Sequence, residues 1–354
     1  MSAQETILSV RDLTVDFHVR GKQLRALRGI DLDLYANEAV AVVGESGSGK
    51  SVLTKCLCGM LENNGRISGG SILFEGEDLT KYKHPRQWKR LRGGKIAVVF
   101  QDPMTALNPI LTIGKQITAV IRAHRKCPEA EARRRALEMM DKVGIPDAAA
   151  RFNDYPFQYS GGMRQRIVIA MALSCRPKVL ICDEPTTALD VTIQAQILQL
   201  IKDLRREFGY TVIFITHDLG VVANIADRVA VLYAGQIVEL ASTRELFYDP
   251  RHPYTWALLS SMPQLAAEDG VLYSIAGTPP SLYATIKGDA FAPRNPYALR
   301  IDHLKEPPLF QVSDTHYART WLLDPRAPAV RKPEAICNLH EKLKRMQGGW
   351  ADGG

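Results

Sequence analysis

Gly44-Glu45-Ser46-Gly47-Ser48-Gly49-Lys50-Ser51 has the residue types needed to hold a row of phosphates. The glycines let backbone N–H groups turn toward phosphate oxygens, and Lys50 supplies a cation for the β- and γ-phosphates. The adjacent Ser51 hydroxyl suits a Mg²⁺ ligand, and Val52 opens the next apolar stretch. An ordinary glycine-rich turn has no need of Lys-Ser at its end. A second chemical pair, Asp183-Glu184, closes the apolar run Val179–Cys182. Asp183 is suited to hold Mg²⁺ directly or through water, and Glu184 to orient an attacking water or take its proton. In isolation an Asp-Glu pair after a strand reads as a helix N-cap. Pro185 directly behind it, together with the phosphate loop upstream, favours the catalytic reading.

These residues need elements to hold them. Ala39–Val43 is a buried strand and Val52–Leu57 reads as a helix, so the glycine loop lies between strand and helix, where the N-terminal dipole end also attracts anions. Upstream, Leu13, Val15, Phe17 and then Ile30, Leu32, Leu34 alternate with polar residues, as in two antiparallel strands with one buried face. A short strand is expected over Gly69–Gly76, and a buried one over Lys95–Phe100 that ends at Gln101. From Pro103 to Arg176 the pattern turns helical, with amphipathic helices at Ile113–His124 and Glu129–Val143. Helix Val191–Phe208, strand Thr211–Thr216 before His217-Asp218, strands Arg228–Tyr233 and Gln236–Leu240, and helices Thr243–Tyr248 and Pro253–Ser261 follow. Beyond Met262 the chain is Pro-rich and loses periodicity, a composition shift that marks a boundary.

The 354 residues exceed one typical domain, and an apolar fraction of 46% suffices for a full core. No apolar run approaches the roughly 18 residues of a membrane span. The start, Met1–Thr6, lacks the pattern of a signal peptide. Six scattered cysteines suggest neither a disulfide framework nor a zinc site, which fits a reducing, cytoplasmic compartment. The net charge of +7 is concentrated in two runs, Lys81–Lys95 and Arg122–Arg135. Solvated faces and an anionic partner, whether headgroups or nucleic acid, both account for them; charge alone does not choose.

Six motifs in this order resemble the ATP-binding subunit of an ABC transporter. They are the phosphate loop, Gln101, Ser160-Gly161-Gly162-Met163-Arg164, Asp183-Glu184, Ala188-Leu189-Asp190 and His217. The resemblance spans residues 7–248 and implies an α/β phosphate-loop NTPase fold: a RecA-like mixed sheet with an antiparallel β subdomain and a helical insertion, plus a small C-terminal appendage. The divisions expected are 1–262 for the ATPase domain, with the insertion at about 103–176, then 263–330 for the appendage and 331–354 for a tail. The resemblance implies ATP and Mg²⁺ as ligands, with Ser51, Gln101 and Asp183 near the metal. Two subunits pair head to tail, and Ser160, Gly161 and Gly162 of one face the γ-phosphate held by the other. Asp190, in the stretch that matches the family's D-loop, is expected among the ATP-binding residues. His217 positions water beside Glu184, and Phe17 is the candidate for the aromatic that stacks on adenine.

Arg251-His252-Pro253-Tyr254-Thr255, Gly277-Thr278-Pro279-Pro280 and Phe291-Ala292-Pro293-Arg294 are similar to the oligopeptide and dipeptide permease subgroup, OppD type. That implies peptide import at the cytoplasmic face of a bacterial membrane. The implied partners are a second ATPase (OppF type), two membrane permease subunits and an extracellular peptide-binding protein, with no nucleic acid. Many relatives carry four cysteines in the appendage that hold an iron–sulfur cluster. Asp289, Asn295, Asp302 and Thr320 stand at those positions, so no cluster is expected. Two other classes remain as alternatives. A soluble ABC ATPase acting on nucleic acid usually carries a second nucleotide domain, a coiled coil or zinc-binding cysteines, and a small-molecule kinase leaves Ser160–Arg164 unexplained.

Overall fold

The computed structural model describes residues 5–187, 189–262, 275–283, 285–337 and 339. Among these residues twelve strands run in chain order: β1 Thr6–Val19, β2 Lys22–Tyr35, β3 Ala39–Val43, β4 Gly65–Phe74, β5 Glu77–Asp78, β6 Ile96–Val99, β7 Val179–Asp183, β8 Thr211–Thr216, β9 Arg228–Tyr233, β10 Gln236–Ser242, β11 Phe310–Gln311 and β12 Tyr317–Ala318. They form two sheets among the described residues. One has four strands in the order β2-β1-β4-β5, and the other eight in the order β11-β12-β10-β9-β3-β8-β7-β6. The first is antiparallel throughout. In the second, β9, β3, β8, β7 and β6 are parallel and the other three antiparallel.

Side-chain alternation along β3 explains why the two sheets stack. Val40 and Val42 point to one face and pack with Leu8, Val10, Leu13 and Ile30 of the antiparallel sheet. Ala39, Ala41 and Val43 point to the other face, toward Ile169, Leu173, Ile197 and Ile201 on helices. Both faces are thus covered, as parallel strands require.

The pattern between Pro103 and Arg176 forms helices at Ile113–His124, Glu129–Lys142 and Gly161–Leu173, with shorter turns at Pro103–Ala106 and Ala148–Arg151. Helix Glu129–Lys142 buries Ala132, Ala136, Met139 and Met140, a three-and-four spacing that makes one apolar face. Its exposed face pairs Arg135 with Glu131 and Arg134 with Glu138. Lys95 and Lys178 both meet Glu75. Part of the local positive charge is therefore balanced on the surface.

The composition shift after Met262 conceals a physical continuity. Part of the expected appendage, 263–274, and most of the tail lie outside the described residues. The described remainder extends the main sheet: β12 pairs with β10 through Glu239↔Ala318 and Leu240↔Tyr317, and β11 pairs with β12. These strands have two residues each, too short to announce themselves by alternation. Phe291 is 1% exposed and packs 5.3 Å from both Tyr233 and Tyr254. Burying such a ring contributes roughly 1.5–3 kcal/mol. Glu239, wholly buried, receives the N–H groups of Arg251 and His252 and lies 2.7 Å from His316 Nε2.

Candidate functional site

The reacting groups sit at the carboxyl ends of adjacent parallel strands, where open α/β sheets expose loops to ligands. β3 leads into Gly44–Ser51, β7 ends at Asp183, β8 delivers His217, and β6 runs toward Gln101. The sheet order β3-β8-β7-β6 makes these ends neighbours, although Gln101 and His217 are far apart in sequence.

Helix Lys50–Cys58 starts directly after Gly49, which takes φ 111°. That conformation strains any residue with a Cβ. At Gly44 the demand is close approach: a Cβ there would lie 2.1 Å from the carbonyl oxygen of Leu232 on β9. Both sites therefore require glycine for separate reasons. Lys50 is 7% exposed, and its Nζ donates to the carbonyls of Gly44 at 2.7 Å and Glu45 at 3.0 Å. Burial lowers its ammonium pKa, against the opposing pull of Glu184, Asp183 and Glu45. Ser48 Oγ is buried with no hydrogen-bond partner, while Ser46, Gly47 and Ser51 are exposed and Val52 is half-buried. A helix N-terminus, a glycine cradle, a buried cation and a spare hydroxyl suit the phosphates of ATP. Asp183 and Ser51 offer the oxygen donors that Mg²⁺ prefers.

Asp183 ends β7 half-buried, and burial raises its carboxyl pKa, with Glu184 adding to the rise and Lys50 opposing it. A cation brought beside it relieves that penalty. Glu184 takes φ 47°, a left-handed backbone that costs a non-glycine residue roughly 1–2 kcal/mol. Its N–H donates to Ile215 O at 2.9 Å, fixing the turn. The turned side chain gathers three partners. Gln101 Nε2 donates to Oε2 at 3.2 Å, Thr187 Oγ1 donates to the same oxygen at 2.9 Å, and His217 Nδ1 lies 3.3 Å from Oε1. Sequence reading brought out Gln101, Glu184 and His217 and missed Thr187. The signal available was a hydroxyl three residues beyond the carboxylate, a spacing common enough to carry little information.

Ser160 caps helix Gly161–Leu173, its Oγ accepting the N–H of Met163 at 3.4 Å. Ser160 and Gly161 are exposed and Gly162 is half-buried, where a Cβ would come 2.7 Å from Ile193. Their neighbours are Leu189 and Ile193 rather than the phosphate loop of the same chain. Further along that helix, buried Gln165 donates to Pro185 O at 2.7 Å, tying it to the segment behind Glu184. Asp190 caps helix Val191–Phe208 by accepting the Ile193 N–H at 3.0 Å, and its neighbour Ala188 lies outside the described residues. Phe17 is half-buried on β1, with its ring against Gly65.

Asp289, Asn295, Asp302 and Thr320, the positions compared above with a cluster's cysteines, are buried but hold oxygen donors. Asp289 Oδ1 accepts from Phe291 N–H at 2.9 Å, Asn295 Oδ1 from Tyr297 N–H at 3.0 Å, Asp302 Oδ2 from Leu299 N–H at 2.6 Å and Thr320 Oγ1 from Leu322 N–H at 3.3 Å. Hard carboxylate, amide and hydroxyl oxygens engaged with local backbone do not fit an iron–sulfur cluster. The apolar side chains of the appendage divide between two places. Phe291, Tyr297 and Leu322 join the main core, whereas Trp321 donates to Lys305 O at 2.8 Å and meets Phe310 edge-on.

A phosphate loop and strand-end carboxylates on parallel strands of one mixed sheet, together with a serine-capped Ser-Gly-Gly helix, define an ATP-hydrolysing protein of the ABC class. Residues 27–187 match the family described as ABC transporter, and residues 238–301 match the oligopeptide/dipeptide transporter C-terminal region. The oligopeptide transport ATP-binding protein AmiE of Streptococcus pneumoniae is 62% identical over 98% of this chain and 97% of its own. OppD, the oligopeptide transport ATP-binding protein of Bacillus subtilis, is 54% identical over 95% and 94%. Among solved structures, a post-hydrolysis dimer of the ATP-binding cassette MJ0796 bound to ADP and Pi aligns with a TM-score of 0.59 and 28% identity, over 67% of this chain and 99% of that one. The chain belongs to the oligopeptide/dipeptide permease family of ABC transporter ATP-binding subunits.

Proposed function

We propose that this chain binds and hydrolyses ATP at Gly44–Ser51 and Asp183-Glu184 to energise import of oligopeptides across a bacterial cell membrane, at whose cytoplasmic face it lies peripherally. The observation that carries the chemistry is the convergence of Gln101, Thr187 and His217 on the carboxylate of Glu184, beside the buried Lys50. Likeness to AmiE and OppD supports the cargo class. Among the described residues no helix is long and apolar enough to cross a membrane, so the transport path belongs to partner subunits.

In this reading Lys50 leaves the Gly44 and Glu45 carbonyls for the β- and γ-phosphates, while loop N–H groups surround the remaining phosphate oxygens. Ser51, Asp183 and Gln101 hold Mg²⁺, which neutralises charge on the phosphates. Glu184 orients the attacking water and takes its proton. His217 and Gln101 fix the direction of that carboxylate, and Thr187 anchors it from the chain behind. Phe17 stacks on the adenine. Because Ser160 and Gly161 are exposed, the Ser160–Gly162 turn serves a nucleotide on a second ATPase subunit rather than its own, with Asp190 in the loop between the two sites. ATP touching both halves favours the closed pair, and hydrolysis removes that bias.

Two membrane subunits and an extracellular peptide-binding protein complete the assembly. Phe100, Ile110 and Leu111, exposed near Gln101, suit a short membrane-subunit helix. Nucleic acid has no comparable support among the relatives, which are peptide-transport ATP-binding proteins. Purification of the tagged full chain from membranes tests the assembly. Recovery of a second ATPase and two permease subunits is expected. Recovery instead of salt-sensitive RNA or DNA, with no membrane protein, overturns the reading.

A further inference from the structure

The phosphate loop is gripped from behind by the C-terminal appendage. Arg294, in the one-turn helix Ala292–Arg294, has a side chain only 5% exposed. Its guanidinium makes a two-pronged pair with Glu45, Nη1 to Oε2 at 2.8 Å and Nη2 to Oε1 at 3.1 Å, across 249 residues of sequence. Nη1 also donates to Tyr233 OH at 3.2 Å, and Nε to Ala276 O at 3.0 Å. Glu45 is held at its backbone as well. Its N–H donates to Tyr254 OH at 2.8 Å, and its carbonyl accepts from Ser48 N–H at 3.2 Å and Lys50 Nζ at 3.0 Å. Pro279, Pro280 and Leu282 line a small cavity together with Glu45–Ser48.

We propose that Arg294 is a positioning residue for ATP binding, which acts through Glu45 to hold the phosphate loop in its anion-binding shape; this rests on the ATPase reading above. A loop with glycines at 44, 47 and 49 has more backbone freedom to lose than most, and ordering it at the moment of binding weakens affinity. Fixing Glu45 at side chain, amide and carbonyl removes much of that freedom beforehand. The planar guanidinium suits the task because two parallel bonds set an orientation that a single ammonium contact leaves free. The family's phosphate loop is thereby completed by a residue outside it, and Tyr254 of the Arg251–Thr255 segment acts in the same way from the neighbouring helix.

The test uses the full chain assembled with its partner ATPase and permease subunits and reads KM for ATP against kcat. Arg294→Met is expected to raise KM roughly tenfold with little change in kcat, since the lost contribution is to binding. Arg294→Lys should recover part of the affinity. Combining Arg294→Met with Glu45→Gln should cost no more than the larger single effect, because the two act through one contact. Thr315→Ala removes a hydroxyl that ties the appendage to Glu245, 2.7 Å away, without touching the loop, and should leave KM unchanged. An unchanged KM in folded Arg294→Met overturns the proposal, as does an equal rise in Thr315→Ala or an additive double variant. If Arg294→Met does not fold, Tyr254→Phe carries the test: the expected result is a raised KM, and an unchanged one overturns it. Failure of the unaltered assembly to hydrolyse ATP would instead sink the ATPase reading itself.

Discussion

His217 Nδ1 lies 3.3 Å from Oε1 of Glu184, although 33 residues separate them. The ring is therefore placed at the end of β8 to hold the carboxylate from one side while Gln101 holds it from the other. Glu184→Gln keeps the size and most of the hydrogen bonding but cannot accept a proton. It is expected to bind ATP normally, lose about 10²–10⁴-fold in turnover and accumulate the closed pair with its partner ATPase. Gel filtration with ATP and a phosphate-release assay check both halves; ordinary turnover would remove Glu184 as the base.

Lys50→Ala should weaken ATP binding by roughly a hundredfold or more, since it deletes the charge facing the β- and γ-phosphates. Binding of a fluorescent nucleotide measures this, and full affinity in the variant would contradict the site. Asp183→Asn should instead make hydrolysis demand more Mg²⁺, shifting the metal titration upward. Indifference to the metal would refute that assignment.

Gly161→Asp places a carboxylate on an exposed helix N-terminus that in this account faces the partner's phosphate. In a mixed pair with one labelled subunit, loss of hydrolysis should fall on the site opposite the mutation. Loss at the mutated chain's own phosphate loop, or at neither site, would contradict head-to-tail pairing.

Much of this was legible in the sequence because local pattern and tertiary role coincide. Helices Ile113–His124 and Val191–Phe208 and strands Thr211–Thr216 and Arg228–Tyr233 have the expected bounds. β4 begins at Gly65 rather than Gly69, because its first half alternates only half-buried and exposed residues and carries no hydrophobic signal. The appendage was the least legible part. Its strands are two residues long, and its order comes from partners such as Glu239, Glu45 and Glu245 that lie far away in sequence. Thr187 and the left-handed backbone at Glu184 likewise depend on the surrounding fold.

Asp289 offers a pH test of the appendage. Burial pushes its carboxyl up to about 7, with Asp302 and Glu306 adding to the rise and Arg28 opposing it. An unfolded aspartate titrates near about 4. Between those values the folded chain keeps a proton that the unfolded chain releases, so this group's contribution makes stability fall as pH rises through the window and flat above it. Asp289→Asn keeps the acceptor for Phe291 N–H and removes the titration. Its gain in melting temperature should be larger at pH 8 than at pH 5; equal gains would show that Asp289 is not perturbed. The same protein, purified anaerobically, should contain no stoichiometric iron or acid-labile sulfide, and finding both would contradict the mismatch of donors at 289, 295, 302 and 320.

In the proposed function, hydrolysis at Glu184 drives peptide movement. Uptake of a labelled oligopeptide by vesicles holding the full assembly, with ATP on the side of this chain and the binding protein on the other, measures it most directly. Uptake should require ATP and be lost with Glu184→Gln while ATP binding persists. Uptake without ATP, or at the unaltered rate in the Glu184→Gln assembly, would contradict it.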